Sequence, residues 1–329
     1  MNARNLALQA YYCGTYPVRR FFRACVEASG QAPLCVLFYH RVADSHPNEW
    51  TISNREFQRQ MLWLKRNVDL VSLEEIQSRM RSGRNDRIAA AITFDDGYAE
   101  NADRAIPFLL ENEIPTTYFV ALDFVMHKRC FPHDVDRGVP LAANTPKQIR
   151  AMADAGVEIG AHTRSHCDVG AIADVTTMID EIDTTTDELE TLINRPIRYF
   201  AFPFGLKHNL SAAAAHLINR RGMLGVCSAF GAYNFPGDDP FHIKRIHGDP
   251  DFIRLKNWIT IDQRKMHHGR GFTIPETAVK VSDVQSRLES ANTAKVSEKS
   301  ADKKSADNPQ VGPILGLHPS LTDNLHQQS

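Results

Sequence analysis

The residues best placed to do chemistry are Asp95 and Asp96, adjacent carboxylates that end the apolar run Ala89-Ala90-Ala91-Ile92-Thr93-Phe94 and precede Gly97. Two side-by-side carboxylates repel each other unless a cation or a proton resolves the repulsion. Two more apolar runs end the same way: Val157-Glu158-Ile159-Gly160-Ala161 runs into His162-Thr163-Arg164-Ser165-His166, and Pro33-Leu34-Cys35-Val36-Leu37-Phe38-Tyr39 into His40-Arg41. Two histidines at H-x-x-x-H spacing ligate one metal if the turn between them is helical. One aspartate then completes a two-histidine, one-carboxylate set with positions open to water. Thr163 stands where the zincin motif has its glutamate base, so the base must come from elsewhere, and Asp95 is adjacent. Taken singly, these residues have plainer roles. Asp95-Asp96 suits a turn acid and an N-cap before Ala99-Glu100-Asn101, and His162 and His166 suit a capped-turn and a surface histidine. The odd interval between His242 and His247 puts them on opposite faces of a strand, so they are not joint ligands. His267-His268, near the domain's end, reads as surface.

The elements that position these groups alternate. Each apolar run reads as a buried strand stopped by turn residues. Further strands are expected at 68–71, 115–121, 197–202, 224–230 and 241–247. Helices are expected at 54–66 with Asn54 as cap, after the Ser72/Glu75 capping box, at 101–111 despite Pro107, at 146–155 closed by Gly156, at 174–192, and at 211–220 with Ser211 as cap. This is an α/β pattern, in which strand C-terminal ends collect the chemistry. Residues 123–145 break the rhythm and read as a functional or poorly ordered insertion able to wall a groove. The chain divides into a helical lead-in (1–32), amphipathic and interrupted by Pro17, one α/β domain (33–265), and a disordered tail (276–329) too poor in apolar residues to fold. The lead-in is expected to pack on the domain's flank; membrane contact is the less favoured role, because its apolar face is short.

Bulk composition excludes several partners. The 329 residues hold 38 basic and 39 acidic side chains, a net charge of -1, which gives no electrostatic case for nucleic acid or an anionic membrane. Six scattered cysteines, without a C-x-x-C pair, argue against a disulfide framework. No stretch approaches the roughly 18 apolar residues of a membrane helix, and the N-terminus lacks the sections of a secretory signal. A cytoplasmic protein is therefore expected, which leaves room for peripheral membrane association.

Thr93-Phe94-Asp95-Asp96-Gly97 and His162-Thr163-Arg164-Ser165-His166 resemble the first two motifs of the polysaccharide deacetylases, carbohydrate esterase family 4. Over residues 33–250 the resemblance implies a distorted TIM-like (β/α) barrel of about seven strands that removes N-acetyl or related groups from amino sugars. It further implies Asp95 as base, with Asp96, His162 and His166 holding one divalent metal, zinc foremost and nickel, cobalt or iron as alternatives. The third motif differs: Phe200-Ala201-Phe202-Pro203-Phe204-Gly205 has alanine where the family's arginine stands. That form, with Tyr39-His40-Arg41, is similar to the poly-N-acetylglucosamine deacetylase branch, which implies His40 as general acid; His247 is the alternative. Arg245 is the candidate for the missing positive charge beside Asp95, and as a plain role would pair with a surface acid. The Phe204 backbone N–H is the candidate oxyanion donor. The family's late leucine-histidine has only Leu317-His318 as a match, inside the expected tail, and it is left unassigned. The expected partner is a glycan or an amino sugar. Two rival readings stand beside this: a catalytically impaired glycan-binding or scaffold protein on the same barrel, and an aspartate-based phosphotransferase using magnesium, which leaves the histidines without a task.

Overall fold

The computed structural model describes residues 3–248, 250–262 and 265–266. The expected tail at 276–329, with Leu317-His318, and the pair His267-His268 lie outside the described residues. Eleven strands are present among the described residues: β1 (Leu34–Tyr39), β2 (Arg41–Val42), β3 (Thr51–Ile52), β4 (Asp69–Leu70), β5 (Ala89–Phe94), β6 (Thr116–Val120), β7 (Glu158–Ala161), β8 (Tyr199–Ala201), β9 (Gly225–Ser228), β10 (His242–Lys244) and β11 (Ile246–His247). The helices are α1 (Ala3–Ala28), α2 (Asn54–Asn67), α3 (Leu73–Arg81), α4 (Ala105–Glu111), α5 (Leu122–His127), α6 (Pro132–Asp136), α7 (Pro146–Asp154), α8 (Val175–Ile179), α9 (Thr185–Ile193), α10 (Ala212–Arg220) and α11 (Phe252–Ile259). No described helix is long and apolar enough to cross a membrane.

Nine strands form one sheet in the order β10-β9-β8-β7-β6-β5-β1-β11, with β4 beside β5, and every pairing in it is parallel. Strands β1, β5 and β6 are buried at every position, which is why β1 and β5 read as nearly continuous apolar runs and not as alternation. The two ends of the sheet are consecutive in the chain. His242–Lys244 pairs with β9 and Ile246–His247 with β1, so a single bend at Arg245 nearly closes the barrel. Counting that bent run once and setting the short β4 aside leaves seven staves.

Alternate residues of the staves (Leu34 and Val36, Ala89 and Ala91, Tyr199 and Ala201) form one cluster with Leu73, Ile76 and Met80 of α3, which plugs the end where the strands begin. Continuing the period of two along β1, β5 and the β10–β11 run brings His40, Asp95, Arg245 and His247 onto the same inward side at the opposite end. Gly160 shows how narrow the interior is: a Cβ there would lie 2.4 Å from the Phe119 ring.

Several element boundaries differ from the sequence expectation. The cap of α2 is Ser53, whose side chain accepts from Glu56 N–H, and Asn54 is already helical. Residues 101–111 are not one helix; a 3₁₀ turn at Ala99–Ala102 precedes α4, which places Pro107 in the first turn of α4, where a missing N–H costs little. Helix α1 runs on through Pro17 and is tied to α11 by Arg19, which donates to the Asn257 carbonyl (2.8 Å) and to Asn257 Oδ1 (2.9 Å). The expected 174–192 helix holds a π turn, Asp180–Thr184, between α8 and α9. Residues 123–145 are ordered: α5 and α6 enclose Phe124, Phe131, Leu141 and Ala143 with Tyr98 in an apolar cluster of their own.

Candidate metal centre and active site

Asp95 and Asp96 leave β5 in opposite directions because the chain turns sharply between them. Gly97 N–H donates to the Asp95 carbonyl at 2.9 Å and Asp96 has φ +75°, a three-residue turn in the left-handed region. Of the nine described non-glycine residues with positive φ, four (Asp96, Thr163, His166, Phe204) belong to the sequence-nominated loops. Such backbone persists only where surrounding contacts over-determine it, and it concentrates at functional sites.

Asp96 faces the two histidines of the β7 loop. Its Oδ1 lies 3.5 Å from His162 Nε2 and 3.1 Å from His166 Nε2, and one ligand atom from each residue falls within 4.8 Å of the others. His162 Nδ1 lies 2.7 Å from the Ala201 carbonyl. A carbonyl only accepts, so Nδ1 carries the proton and the Nε2 lone pair points at Asp96. The spacing does not work through a helical turn, as the sequence suggested; left-handed residues at Thr163 (φ +62°) and His166 (φ +58°) fold the loop back and bring the rings to 5.0 Å.

Asp96 Oδ1 is buried and accepts no well-aligned hydrogen bond. An anionic oxygen and two imidazole nitrogens aimed at one point fit a divalent cation of the borderline class, with room for further ligands. Burial alone would raise the Asp96 pKa, but His166 and His162 outweigh it and hold the carboxyl well below its usual value. For His166 burial works downward, and Asp96 overcomes it to raise the imidazole.

Asp95 faces the barrel axis. Arg245, at the bend that closes the sheet, grips it with two parallel bonds, Nη1 to Oδ1 at 2.6 Å and Nη2 to Oδ2 at 2.8 Å. The guanidinium also donates to Thr93 Oγ1 (3.2 Å) and lies over the rings of Phe38 (4.8 Å) and Phe119 (5.3 Å). Both partners are buried. Burial would raise the Asp95 carboxyl, yet Arg245, then His162, then the further Arg245 hydrogen bonds and His40 hold it below its usual value.

His40 completes the group beyond β1. Its ring centroid lies 5.4 Å from Trp50 and 5.7 Å from His247, and its Nδ1 is buried without a partner. Asn101 fixes the backbone here, donating from Nδ2 to the His40 carbonyl (2.7 Å) and accepting at Oδ1 from Val42 N–H (2.8 Å). Burial lowers the His40 pKa, with Asp96 and Asp95 pulling the other way. His247 is pushed down to about 3, by burial first and His40 second. His242 takes the outer side of the same run, with Nε2 2.8 Å from Ser228 Oγ.

Phe204 sits in a second three-residue turn, with Gly205 N–H donating to the Pro203 carbonyl (2.6 Å) and φ +60° at Phe204. Its exposed ring meets the His166 ring edge-on at 5.2 Å, and Phe131 of the 123–145 segment approaches the same imidazole at 5.8 Å. The loops therefore bring all seven sequence-nominated residues to one mouth of the barrel. Ala201, noted in the sequence for the arginine it lacks, contributes the carbonyl that orients His162. Glu181, which accepts from the His162–His166 loop, carried no signal in the sequence.

Residues 82–222 match the family described as Polysaccharide deacetylase. That stretch resembles a polysaccharide deacetylase domain. Over 151 residues it is 26% identical to YxkH of Bacillus subtilis (strain 168), which is 45% of this chain and 49% of that protein, so the match spans about half the length of this curated relative. In fold the chain is similar to IcaB from Ammonifex degensii (24% identity, TM-score 0.60, covering 70% of this chain and 98% of that one). It is also similar to a de-N-acetylase from Aggregatibacter actinomycetemcomitans (20%, 0.57, 69% and 99%) and to the Streptococcus pyogenes deacetylase PplD in complex with acetate (19%, 0.56, 68% and 97%). The matched deacetylase segment contains Asp95, Asp96, His162, His166 and Phe204; His40 precedes it and Arg245 follows it.

Proposed function

We propose that the chain is a metal-dependent carbohydrate N-deacetylase that hydrolyses N-acetyl groups on the amino sugars of a glycan or glycan precursor. The observation that carries this reading is the convergence of Asp96 Oδ1, His162 Nε2 and His166 Nε2 within 4.8 Å, beside a second carboxylate, Asp95, held apart by Arg245. The names of the structural neighbours, a de-N-acetylase and a deacetylase bound to acetate, support the same chemistry. The reaction adds one water across the amide C–N bond and gives acetate and a free amine.

Asp96, His162 and His166 would hold one divalent cation, zinc foremost from the mixed N/O donor set. When bound, such an ion supplies Lewis acidity and brings the pKa of a water toward about 7. The remaining work falls to the chain. Asp95, kept ionised by Arg245, takes the proton of the attacking water. The Phe204 N–H, in its exposed turn, donates to the developing oxyanion. His40 gives a proton to the departing amine, without which the tetrahedral intermediate returns to amide; a positioned acid of this kind contributes roughly 10²–10⁴ in rate. Burial lowers both histidines, but Asp96 and Asp95 offset part of it at His40 while His247 is pushed down to about 3, so His40 suits the task better. Tyr39-His40-Arg41 and the Ala201 substitution support the poly-N-acetylglucosamine branch, with Arg245 in place of the missing arginine.

The test is acetate release from a panel of N-acetylated amino sugars and short β-linked oligomers, with and without chelator. The reading expects release that chelator abolishes and a divalent cation restores. Release that chelator leaves untouched, or none from any N-acetyl substrate in metal-replete protein, would overturn it.

A further inference from the structure

We infer that Glu181 is a positioning residue for the metal centre, acting through the loop that joins His162 to His166. The inference rests on the metal reading above and adds a residue to it. The Glu181 side chain is largely buried, yet it forms no ion pair with any lysine or arginine among the described residues. Its carboxylate is spent on the ligand loop. Oε2 accepts from the backbone N–H groups of Arg164 and Ser165, both at 2.9 Å, and Oε1 accepts from Ser165 Oγ–H at 2.7 Å.

The loop is held from its other side as well. The Thr163 carbonyl accepts from Leu122 N–H (3.2 Å) and the Arg164 carbonyl from Asp123 N–H (3.0 Å), both at the start of α5. The Arg164 guanidinium reaches Glu188 (2.7 Å), Asp180 (3.1 Å) and Asp123 (3.5 Å). These bonds fix a segment whose ends, Thr163 and His166, are both in the left-handed region. Released from them, the segment would relax toward ordinary backbone and swing the His166 ring away from Asp96. The π turn Asp180–Thr184 delivers the carboxylate. A wider turn changes the phase of a helix, and Glu181 lies inside it while the surrounding α8 and α9 keep their own packing. Metal-ligating histidines depend on such outer partners for affinity, and the loss of one costs about 10- to 100-fold.

The test is cobalt(II) binding to the full-length chain, read as affinity in competition with a chelator and as the visible absorption of the bound ion. Wild type, His162→Ala, Glu181→Gln, Glu181→Asp and Glu181→Ala are compared. The amide of E181Q keeps an oxygen able to accept both backbone N–H groups, so this variant is expected to bind within a few-fold of wild type with an unchanged spectrum. E181A, and E181D, whose shorter arm cannot reach, are expected to weaken binding about 10- to 100-fold and to shift the absorption. Should E181A fail to fold, E181D carries the comparison against E181Q. E181D and E181A binding like wild type, or E181Q losing as much affinity as E181A, would overturn the inference. If wild type binds cobalt and H162A does not while the Glu181 variants are indistinguishable from wild type, this inference alone fails. If wild type binds no cation, the metal reading fails and takes this inference with it.

Discussion

Asp95 and Asp96 are neighbours in sequence and differ in surroundings, one turned toward Arg245 and the other toward two imidazoles, and the proposed function gives them different tasks accordingly. Arg245→Lys tests the first of these environments. A lysine cannot reproduce the two parallel bonds to Asp95, so the influence that lowers the Asp95 pKa weakens and that pKa rises toward its ordinary value. A base must be ionised to act, so the acid limb of kcat/KM is expected to move to higher pH in the variant, while a limb that stays in place would contradict the pairing's role. Much of this was legible in the sequence. Asp95-Asp96, His162 and His40 each directly follow an apolar run, and the resemblance implied which aspartate would be base and which ligand. The Arg245 contact was legible only as a candidate, because it joins residues 150 positions apart.

At the scale of elements, apolar runs stopped by turn residues located the staves, and the capping residues Ser72 and Ser211 located the starts of α3 and α10. Geometry that depends on a neighbour's shape stayed hidden. A helical turn between His162 and His166 was the economical guess from spacing, yet Glu181 and the start of α5 stabilise a folded-back loop instead. The π turn that places Glu181 has no signature in residues 174–192, since each residue there is compatible with an ordinary helix. Gly160 likewise reads as an unremarkable strand glycine, although the Phe119 ring occupies the space of its side chain. Gly160→Ala therefore forces that ring out of place, and with it the face on which Arg245 stacks. Urea denaturation is expected to show a loss of about 1–3 kcal/mol, the usual cost of overpacking. An unchanged midpoint would mean that the barrel interior is looser than these distances require.

At the scale of the whole molecule, alternating strands and helices predicted an α/β domain, but not how its ends meet. Closure depends on one run, 242–247, pairing with β9 in its first half and β1 in its second, and a six-residue stretch with only two apolar residues, Ile243 and Ile246, does not reveal that it serves two partners. The same run makes stability pH-dependent. Burial, then Lys244, pushes His242 down to about 4 in the folded chain, whereas an unfolded histidine titrates near about 6.5. Between those values the unfolded chain binds more protons, so the contribution of His242 is complete above about pH 6.5 and is lost as pH falls toward 4; it amounts to about 3 kcal/mol. Denaturation midpoints of wild type and His242→Asn between pH 7 and pH 4.5 check this: the variant's dependence is expected to be the flatter, and equal slopes would assign the acid sensitivity elsewhere. The proposed function itself rests on one cation held by residues from two distant loops. Metal content per chain, measured with turnover in wild type, His162→Ala and His40→Ala, tests that most directly. The account predicts one equivalent in wild type and in H40A, with H40A turnover reduced by roughly 10²–10⁴, and little or none in H162A; full metal content in H162A, or unimpaired turnover without metal, would contradict it.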